Sequence, residues 1–295
     1  MKIFTLIILF VYAHLVSSCG SPSSDSESQS VNSDREISSL PEKQIGPHEK
    51  QATPTPGSSL NNIMAAPSIF AFDTKNMRIV WSDSLEDDAS IVSIFGAPEI
   101  KNASSYARGH VSFVYNGSPV LIIGGIPDEQ ASPETISGSD FSIYNILQLK
   151  DTPLQMPASI TVRNLDTRGG SVRVNPTACY NDLEHWYRDV IWNDLEMRIS
   201  DDINFMLGKR HPIALTWNLG TDEIVKITQT DNFYLLSWSK MQIEIQSSSP
   251  INIKQEKRPN ENRSEFSGDF FTALEIEVVE LVPTVRIVTR IKPKR

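Results

Sequence analysis

Residues 111–123 read VSFVYNGSPVLII and contain the clearest fold signal in the chain. Asn116-Gly117 separates two apolar runs, and this dipeptide favours the two-residue turn of an antiparallel β-hairpin. With that turn, Phe113 would face Val120, so that two apolar side chains meet across the ladder. Pro119 has no backbone N–H to donate, which predicts a sheet edge at that point of the second strand.

Similar short apolar runs, separated by turn residues, continue through residues 67–295. Further hairpins are predicted around Thr74-Lys75-Asn76 and around Arg168-Gly169-Gly170. Strands that follow one another through short turns favour antiparallel sheets. We therefore predict a mainly β body, an antiparallel sandwich or two stacked sheets, with a subdivision near residues 153–157 as an alternative to one domain.

The last predicted hairpin carries opposite charges on its two strands, with Pro283-Thr284 as the turn. The expected cross-strand pairs are Glu277 with Arg290 and Glu275 with Lys292. Such exposed pairs contribute about 0.2–1 kcal/mol each. Their larger effect is on register, because a slip of one residue would turn these charges toward the core.

One segment, about residues 180–207, departs from the strand pattern. Asn181 and Glu184 have the spacing of a capping box, which satisfies backbone N–H groups at a helix start. The apolar residues that follow include the spacings of a buried helical stripe. We predict a helical insertion here, with Trp186 and Trp192 packed in the core; an aromatic ligand platform is the alternative.

Cys179, just before the predicted helix, is a candidate nucleophile, because a helix N-terminus lowers the pKa of a thiol. His211 and then Asn218 or Asp222 follow it, which resembles the chain order of papain-like thiol hydrolases. Only that order matches, since the sequence around Cys179 contains no signature of such a family. A buried, unreactive thiol is the alternative.

A second candidate site is a group of carboxylates that follows Trp81. Its members are Asp83, Glu86, Asp87 and Asp88. Hard cations bind several oxygen ligands, but the spacing is not that of an EF-hand, so a solvated acidic loop is the alternative to a metal site.

His185 and Asp189, four residues apart on the predicted helix, would lie within reach of each other as an acid–base pair or as a solvated surface pair. No Walker, GxSxG or HExxH sequence occurs in the chain, so those enzyme classes receive no support. We predict no cofactor.

Residues 1–18 have the parts of a secretory signal peptide. Lys2 is followed by the mostly apolar run Ile3–Val16, which is short for a membrane-spanning helix. Val16-Ser17-Ser18-Cys19 then places small or aliphatic residues directly before a thiol. This motif resembles the lipobox of bacterial lipoproteins.

The lipoprotein resemblance implies that Cys19 is acylated and becomes the first residue of the mature chain. Gly20 rather than Asp follows it, which resembles lipoproteins directed to the outer membrane. Several acyl chains hold a protein firmly, so the body would be anchored in the cell envelope and face the periplasm or the exterior. The alternative is an ordinary signal cleaved after Ser18 and a secreted chain in which Cys19 and Cys179 could form a disulfide.

Residues 19–66 comprise Cys19 and a predicted disordered tether that is rich in Ser and Pro. Too few apolar residues occur there to offset the entropy of ordering the chain. A flexible tether of this length has an r.m.s. span of about 40 Å. The whole chain carries a formal charge of -9, which disfavours nucleic acids and anionic lipid surfaces as partners.

These observations leave two functions open. The first is a lipid-anchored envelope protein whose body binds another extracytoplasmic component, a protein or a glycan, without catalysis. The second is an extracytoplasmic thiol hydrolase that uses Cys179 and His211.

Replacing Cys19 by Ala should abolish acylation, because the acyl chains would be attached to that residue. Metabolic labelling with palmitate should mark the wild-type chain and a Cys179→Ser control, but not the Cys19→Ala variant. Labelled Cys19→Ala, or an intact N-terminal Met in the mature wild-type chain, would contradict the lipoprotein interpretation.

Overall fold

β-Strands are the dominant element of the structure, a computed structural model that describes residues 69–73, 77–96, 108–123, 145–149, 158–260 and 266–294. The predicted signal peptide, Cys19 and the tether lie outside these ranges, and so does the possible subdivision at residues 153–157. No helix within the described ranges is both long and apolar enough to cross a membrane.

The described ranges contain 17 strands and a 3₁₀ helix at Thr177–Cys179. The strands in chain order are β1 (Ile69–Asp73), β2 (Arg78–Ser82), β3 (Ile91–Phe95), β4 (Val111–Tyr115), β5 (Ser118–Leu121), β6 (Leu147–Leu149), β7 (Ser159–Asp166), β8 (Gly169–Asn175), β9 (Leu183–Asn193), β10 (Met197–Phe205), β11 (Ile213–Leu219), β12 (Lys226–Gln229), β13 (Tyr234–Ser237), β14 (Met241–Ser247), β15 (Ile251–Pro259), β16 (Phe270–Val278) and β17 (Thr284–Pro293).

Two large antiparallel sheets divide these strands between them. Sheet A has the order β1-β2-β3-β4-β5-β11-β16-β15, and β6 also pairs with β11. Sheet B has the order β12-β13-β14-β17-β10-β9-β8-β7. The predicted mainly β, sandwich-type fold is therefore confirmed. Strands from both sides of residues 153–157 share sheet A.

The hairpin at Asn116-Gly117 forms as predicted, between β4 and β5. Both turn residues have positive φ, 45° and 67°, which is the geometry that Asn and Gly tolerate best. A bulge after Phe113 changes the predicted register, so that Phe113 faces Leu121 and not Val120. β5 lies between β4 and β11 and is therefore not an edge strand as a whole. Its only residue paired with β11 is Leu121, so Pro119 has no strand partner on that side, as its missing N–H predicts.

Hairpins β1–β2 and β7–β8 also form where the sequence predicts them. The last predicted hairpin is wrong, because β16 belongs to sheet A and β17 to sheet B. The ion pairs differ accordingly: Lys254 on β15 contacts Glu277, and Lys292 contacts Glu244 on β14. The segment around Pro283 is a crossing between the sheets and not a two-residue turn.

The predicted helical insertion at about residues 180–207 is also wrong. This segment forms β9 and β10, which pair along almost their whole length. Asn181 and Glu184 are therefore not a helix cap, and Glu184 instead accepts a hydrogen bond from Asn204 Nδ2 at 2.6 Å. Alternate residues face the core, and among them Trp186 and Trp192 are buried, as the core interpretation predicts.

The inner faces of the two sheets form one hydrophobic core. Trp81 of sheet A and Trp192 of sheet B meet there edge to face, with ring centroids 5.9 Å apart. Fully burying one large apolar side chain contributes about 1.5–3 kcal/mol, so this core is the main source of stability.

An ion pair lies within this core, between Arg188 of β9 and Asp201 of β10. The two side chains are 0% and 1% exposed. Nε and Nη2 of Arg188 donate to the two carboxylate oxygens of Asp201, at 2.7 and 3.0 Å. Trp186 Nε1 donates a further hydrogen bond to Asp201 at 2.8 Å. Burial of two charges is tolerated here because their polar atoms are paired so extensively.

The same guanidinium group also binds the backbone that borders sheet A. Its Nη1 donates to the carbonyl oxygens of Gly109 and Asn145, at 2.6 and 2.7 Å. The rings of Trp186 and Trp217 lie 5.5 and 5.3 Å from its central carbon. Arg188 therefore connects the two sheets by hydrogen bonds as well as by packing.

Asn145 extends this network inside sheet A. Its Nδ2 donates to the carbonyl oxygens of Val111 and Ile122, at 2.9 and 3.1 Å, and its Oδ1 accepts the backbone N–H of Asn218. Its own N–H donates to His110 Nδ1 at 3.0 Å. Burial, with a contribution from Arg188, lowers the pKa of His110 to about 3, so the ring is neutral and can accept this bond.

Removing one member of the buried pair should destabilise the protein strongly. Arg188→Met leaves the Asp201 carboxylate buried without its counter-charge, and we expect a loss of about 3–5 kcal/mol in the free energy of unfolding. Arg173→Met is a matched control, because its ion pair with Asp189 is partly exposed, and it should cost about 1 kcal/mol or less. Urea unfolding measures both; equal losses would contradict the central role of Arg188.

Candidate functional site

The predicted nucleophile Cys179 lies at the end of the 3₁₀ helix, with its side chain in the core. Burial raises the pKa of its thiol to about 11, although the nearby Arg108 opposes part of this shift. A thiol with a raised pKa is almost entirely protonated at neutral pH, and the protonated form is a poor nucleophile. The physical environment of Cys179 therefore favours the structural role over the catalytic one.

His211, the predicted base, contacts a carboxylate that sequence reasoning did not select. Its Nε2 lies 2.7 Å from Oδ2 of Asp182, whose Oδ1 is 3.1 Å from Nζ of Lys209. The hydrogen bond with Lys209 is the larger cause, and that with His211 the next, that lowers the pKa of the Asp182 carboxyl group. The other two predicted partners lie elsewhere: Asn218 is buried in β11, and Asp222 is exposed beyond the end of that strand.

The four acidic residues after Trp81 form the connection between β2 and β3. Asp83 Oδ1 accepts the backbone N–H of Ser90 at 2.8 Å, which closes the loop. Glu86, Asp87 and Asp88 are exposed. In the part of the chain that the structure describes, no three His, Cys, Asp or Glu side chains are grouped so that they could hold a metal ion.

His185 and Asp189 do not contact each other as the predicted helix would require, because both lie on strand β9. His185 Nε2 is 3.6 Å from Asp202 on β10. Asp189 accepts two hydrogen bonds from Arg173 on β8, at 2.7 and 2.6 Å. Both side chains belong to a polar surface on the outside of sheet B.

This outer surface, called the arginine face, is the candidate functional site. It is formed by alternate residues of β8, β9, β10 and β17, which point away from the core. Its principal members are Arg173, Tyr187, Asp189, Arg198, Arg286 and Arg290. Several guanidinium groups on one sheet face are unexpected in a chain whose formal charge is -9.

Tyr187 lies in the middle of a stack on this face. The guanidinium of Arg173 lies 4.7 Å from the centre of its ring. On β9 itself, the His185 ring is nearly parallel to it, with centroids 4.9 Å apart and an interplanar angle of 9°. Stacking and the double hydrogen bond to Asp189 hold Arg173 in one orientation, so this part of the face is ordered before any ligand binds.

Asp189 is the negative centre of the face. Arg163 Nη1 lies 3.4 Å from its carboxylate, in addition to the closer Arg173. The hydrogen bond from Arg173 is the largest cause that lowers the pKa of Asp189, and the charges of Arg163 and Arg286 lower it further. Asp189 thus remains ionised to a lower pH than an ordinary aspartate.

Arg198 and Arg290 lie directly opposite each other on β10 and β17. The guanidinium of Arg286, on the same face, has its Nε 3.4 Å from Ser200 Oγ. Glu244 lies opposite Arg290 on its other side, but its carboxylate accepts a bond from Lys292 Nζ. Positive charge therefore concentrates around Arg198 and Arg290.

The sequence predicts which residues of one strand of this face lie together, but not which strands form the rest of the face. The alternation in β17 predicts that Arg286, Arg290 and Lys292 share one side of a strand, as they do. Arg173 and Arg198 could be added only with the knowledge that β8, β9, β10 and β17 are neighbours. The strands β10 and β17 are far apart in the chain, so no local pattern predicts their pairing.

Comparison with known proteins gives a fold likeness and no family. The sequence matches no family model and no curated protein. A solved structure of heparinase III is similar, with a TM-score of 0.56 and 13% identity over 77% of this chain and 36% of that chain. A mutant of the heparan sulfate lyase HepC from Pedobacter heparinus has a TM-score of 0.56 and 12% identity over 76% of this chain and 36% of that chain. The chain thus spans about a third of the length of these proteins, and the likeness is one of fold.

The thiol of Cys179 should resist alkylation in the folded protein. With a pKa of about 11, roughly one thiol in a thousand is ionised at pH 8, and the side chain is also buried. Iodoacetamide should label Cys179 at pH 8 only after the protein is unfolded in urea, which serves as the positive control. Rapid labelling of the folded chain at pH 7, absent in Cys179→Ser, would instead favour the thiol hydrolase.

Proposed function

We propose that this chain is a lipid-anchored protein of the bacterial cell envelope, and that its β-sandwich binds another extracytoplasmic component, a protein or a glycan, through the arginine face. The anchor would be the acylated Cys19, on the outer membrane, and a disordered tether would carry the sandwich. The chain would act by binding and not by catalysis. If the signal is instead an ordinary one, the same sandwich would be secreted.

The arginine face is the observation that carries this proposal. Its side chains are partly exposed, with Arg173 at 32% and Asp189 at 24%, yet their geometry is held by paired hydrogen bonds and stacking. A surface that is ordered in advance loses less side-chain entropy when it binds a partner. Arg and Tyr are also the residue types that contribute most often to binding energy at interfaces.

Two further points support a binding role over the hydrolase. The raised pKa of Cys179 disfavours a thiolate nucleophile. The solved structures with a similar fold are named for heparin and heparan sulfate, which are glycans, and this favours a glycan over a protein as the partner.

Site-specific photo-crosslinking in cells tests the proposal. A benzophenone amino acid at Ile191, which is 42% exposed and lies beside Arg198 on the arginine face, should give a discrete product with an envelope glycan or protein. The matched control is the same substitution at Asn252, an exposed residue on the outer side of sheet A, which should give none.

Equal products from both positions would contradict a specific role of the arginine face. Absence of any product from position 191, together with turnover of an envelope substrate that the Cys179→Ser variant lacks, would replace the binding function by the hydrolase.

A further inference from the structure

Arg198 and Arg290 form an arrangement that is unfavourable in the protein alone. They face each other on neighbouring antiparallel strands, where opposed Cα atoms are about 4.5–5.5 Å apart. Like charges in that position repel each other and destabilise the sheet. A bound anion between the two guanidinium groups would remove this repulsion.

The nearby carboxylates already have other partners. Asp189 is bonded to Arg173 and Arg163, and Glu244 to Lys292. Among the residues that the structure describes, the Nε atom of Arg198 has no hydrogen-bond acceptor, although it is buried from solvent. A buried donor without an acceptor is destabilising, and an oxygen atom of a ligand would satisfy it.

We propose that Arg198 and Arg290 bind the carboxylate or sulfate groups of an acidic polysaccharide. The inference rests on the proposed function of the arginine face and adds the chemical class of its ligand. Guanidinium groups bind such anions through two parallel hydrogen bonds, and an anion that bridges the pair would receive donors from both strands.

The shape of the face favours a polymer over a small anion. Arg286 and Arg290 are four residues apart on β17, which separates their Cα atoms by about 13 Å. That distance is comparable to the spacing of acidic groups in a polysaccharide with one such group per disaccharide. Between the two arginines, the partly exposed amide of Gln246 lies in the row of Val288 and offers partners for sugar hydroxyl groups.

The two guanidinium groups also explain how an acidic chain could bind an acidic polymer. The formal charge of -9 belongs to the whole chain, whereas Debye screening limits the range of surface charges to about 8 Å at physiological salt. Binding then depends on the charges nearest the ligand. Around Arg198 and Arg290 these are mainly guanidinium groups, because the adjacent Glu244 is paired with Lys292, whereas Asp189 and Asp202 lie in the rows of Ser200 and Arg286.

Titration of the mature, detergent-solubilised protein with defined polymers at about 0.15 M salt tests the inference. The probes are polygalacturonate for carboxylates, dextran sulfate for sulfates, and uncharged dextran. At least one charged polymer should bind and raise the melting temperature, whereas uncharged dextran should do neither. The two charged probes distinguish which acidic group is preferred.

Arg198→Gln/Arg290→Gln should weaken binding of the charged polymer by about tenfold to a hundredfold, because the variant loses the charge-assisted hydrogen bonds of both guanidinium groups; at about 1.4 kcal/mol per tenfold this is about 1.4–2.8 kcal/mol. The matched control is Lys254→Gln/Arg258→Gln on β15 of sheet A, which removes the same number of positive charges and should change affinity by less than about twofold. Urea unfolding of both double variants verifies that the sandwich is intact. Because Arg198→Gln/Arg290→Gln removes the repulsion between the two guanidinium groups, we expect this variant to be at least as stable as the wild type.

Three results would overturn the inference. The first is equal weakening by both double variants, which would indicate a general effect of net charge. The second is binding of duplex DNA or polyglutamate as tight as that of either acidic polysaccharide. The third is binding of uncharged dextran alone. In each case a specific crosslink from position 191 would still support the proposed function, so the two proposals can fail separately.

Discussion

The buried ion pair between Arg188 and Asp201 is the interaction on which the relative placement of the two sheets depends. Hydrophobic packing holds the sheets together but has little directional preference, so it specifies their relative position less strictly than hydrogen bonds do. The Arg188 guanidinium removes this freedom, because it must reach Asp201 within sheet B and the carbonyl oxygens of Gly109 and Asn145 at the same time. A shift of either sheet would leave a buried charge with too few partners.

This ion pair also explains why the sequence between residues 180 and 207 predicts a helix. In β9 and β10 every second residue faces the core, but Arg188 and Asp201 occupy two of those inward positions. Charged residues at inward positions interrupt the alternation that identifies a strand. The remaining helical spacings arise from Tyr187, which is apolar in part, and Ile191, which is apolar; both point outward.

Local features of the chain were predictable, and long-range pairings were not. Asn116-Gly117 specifies its own turn, so that hairpin could be placed from sequence, whereas the bulge after Phe113 could not. Alternation in β16 and β17 predicts which residues share a side of each strand, yet it carries no information about which sheet the strand joins. For the same reason only the β17 part of the candidate site is predictable from the sequence, and no local pattern predicts that His211 contacts Asp182.

Strand β17 lies near the centre of sheet B, between β14 and β10. It is the last of the described strands in chain order and is therefore synthesised after the strands that it joins. Until β17 arrives, the sheet exists as two separate pieces with unpaired edges at β10 and β14, and such edges can pair with other chains. A chain that begins to fold while it is being synthesised would therefore keep sheet B incomplete until β17 is available. Protection of these two edges by chaperones would therefore matter more for this protein than for one whose sheets are completed in chain order.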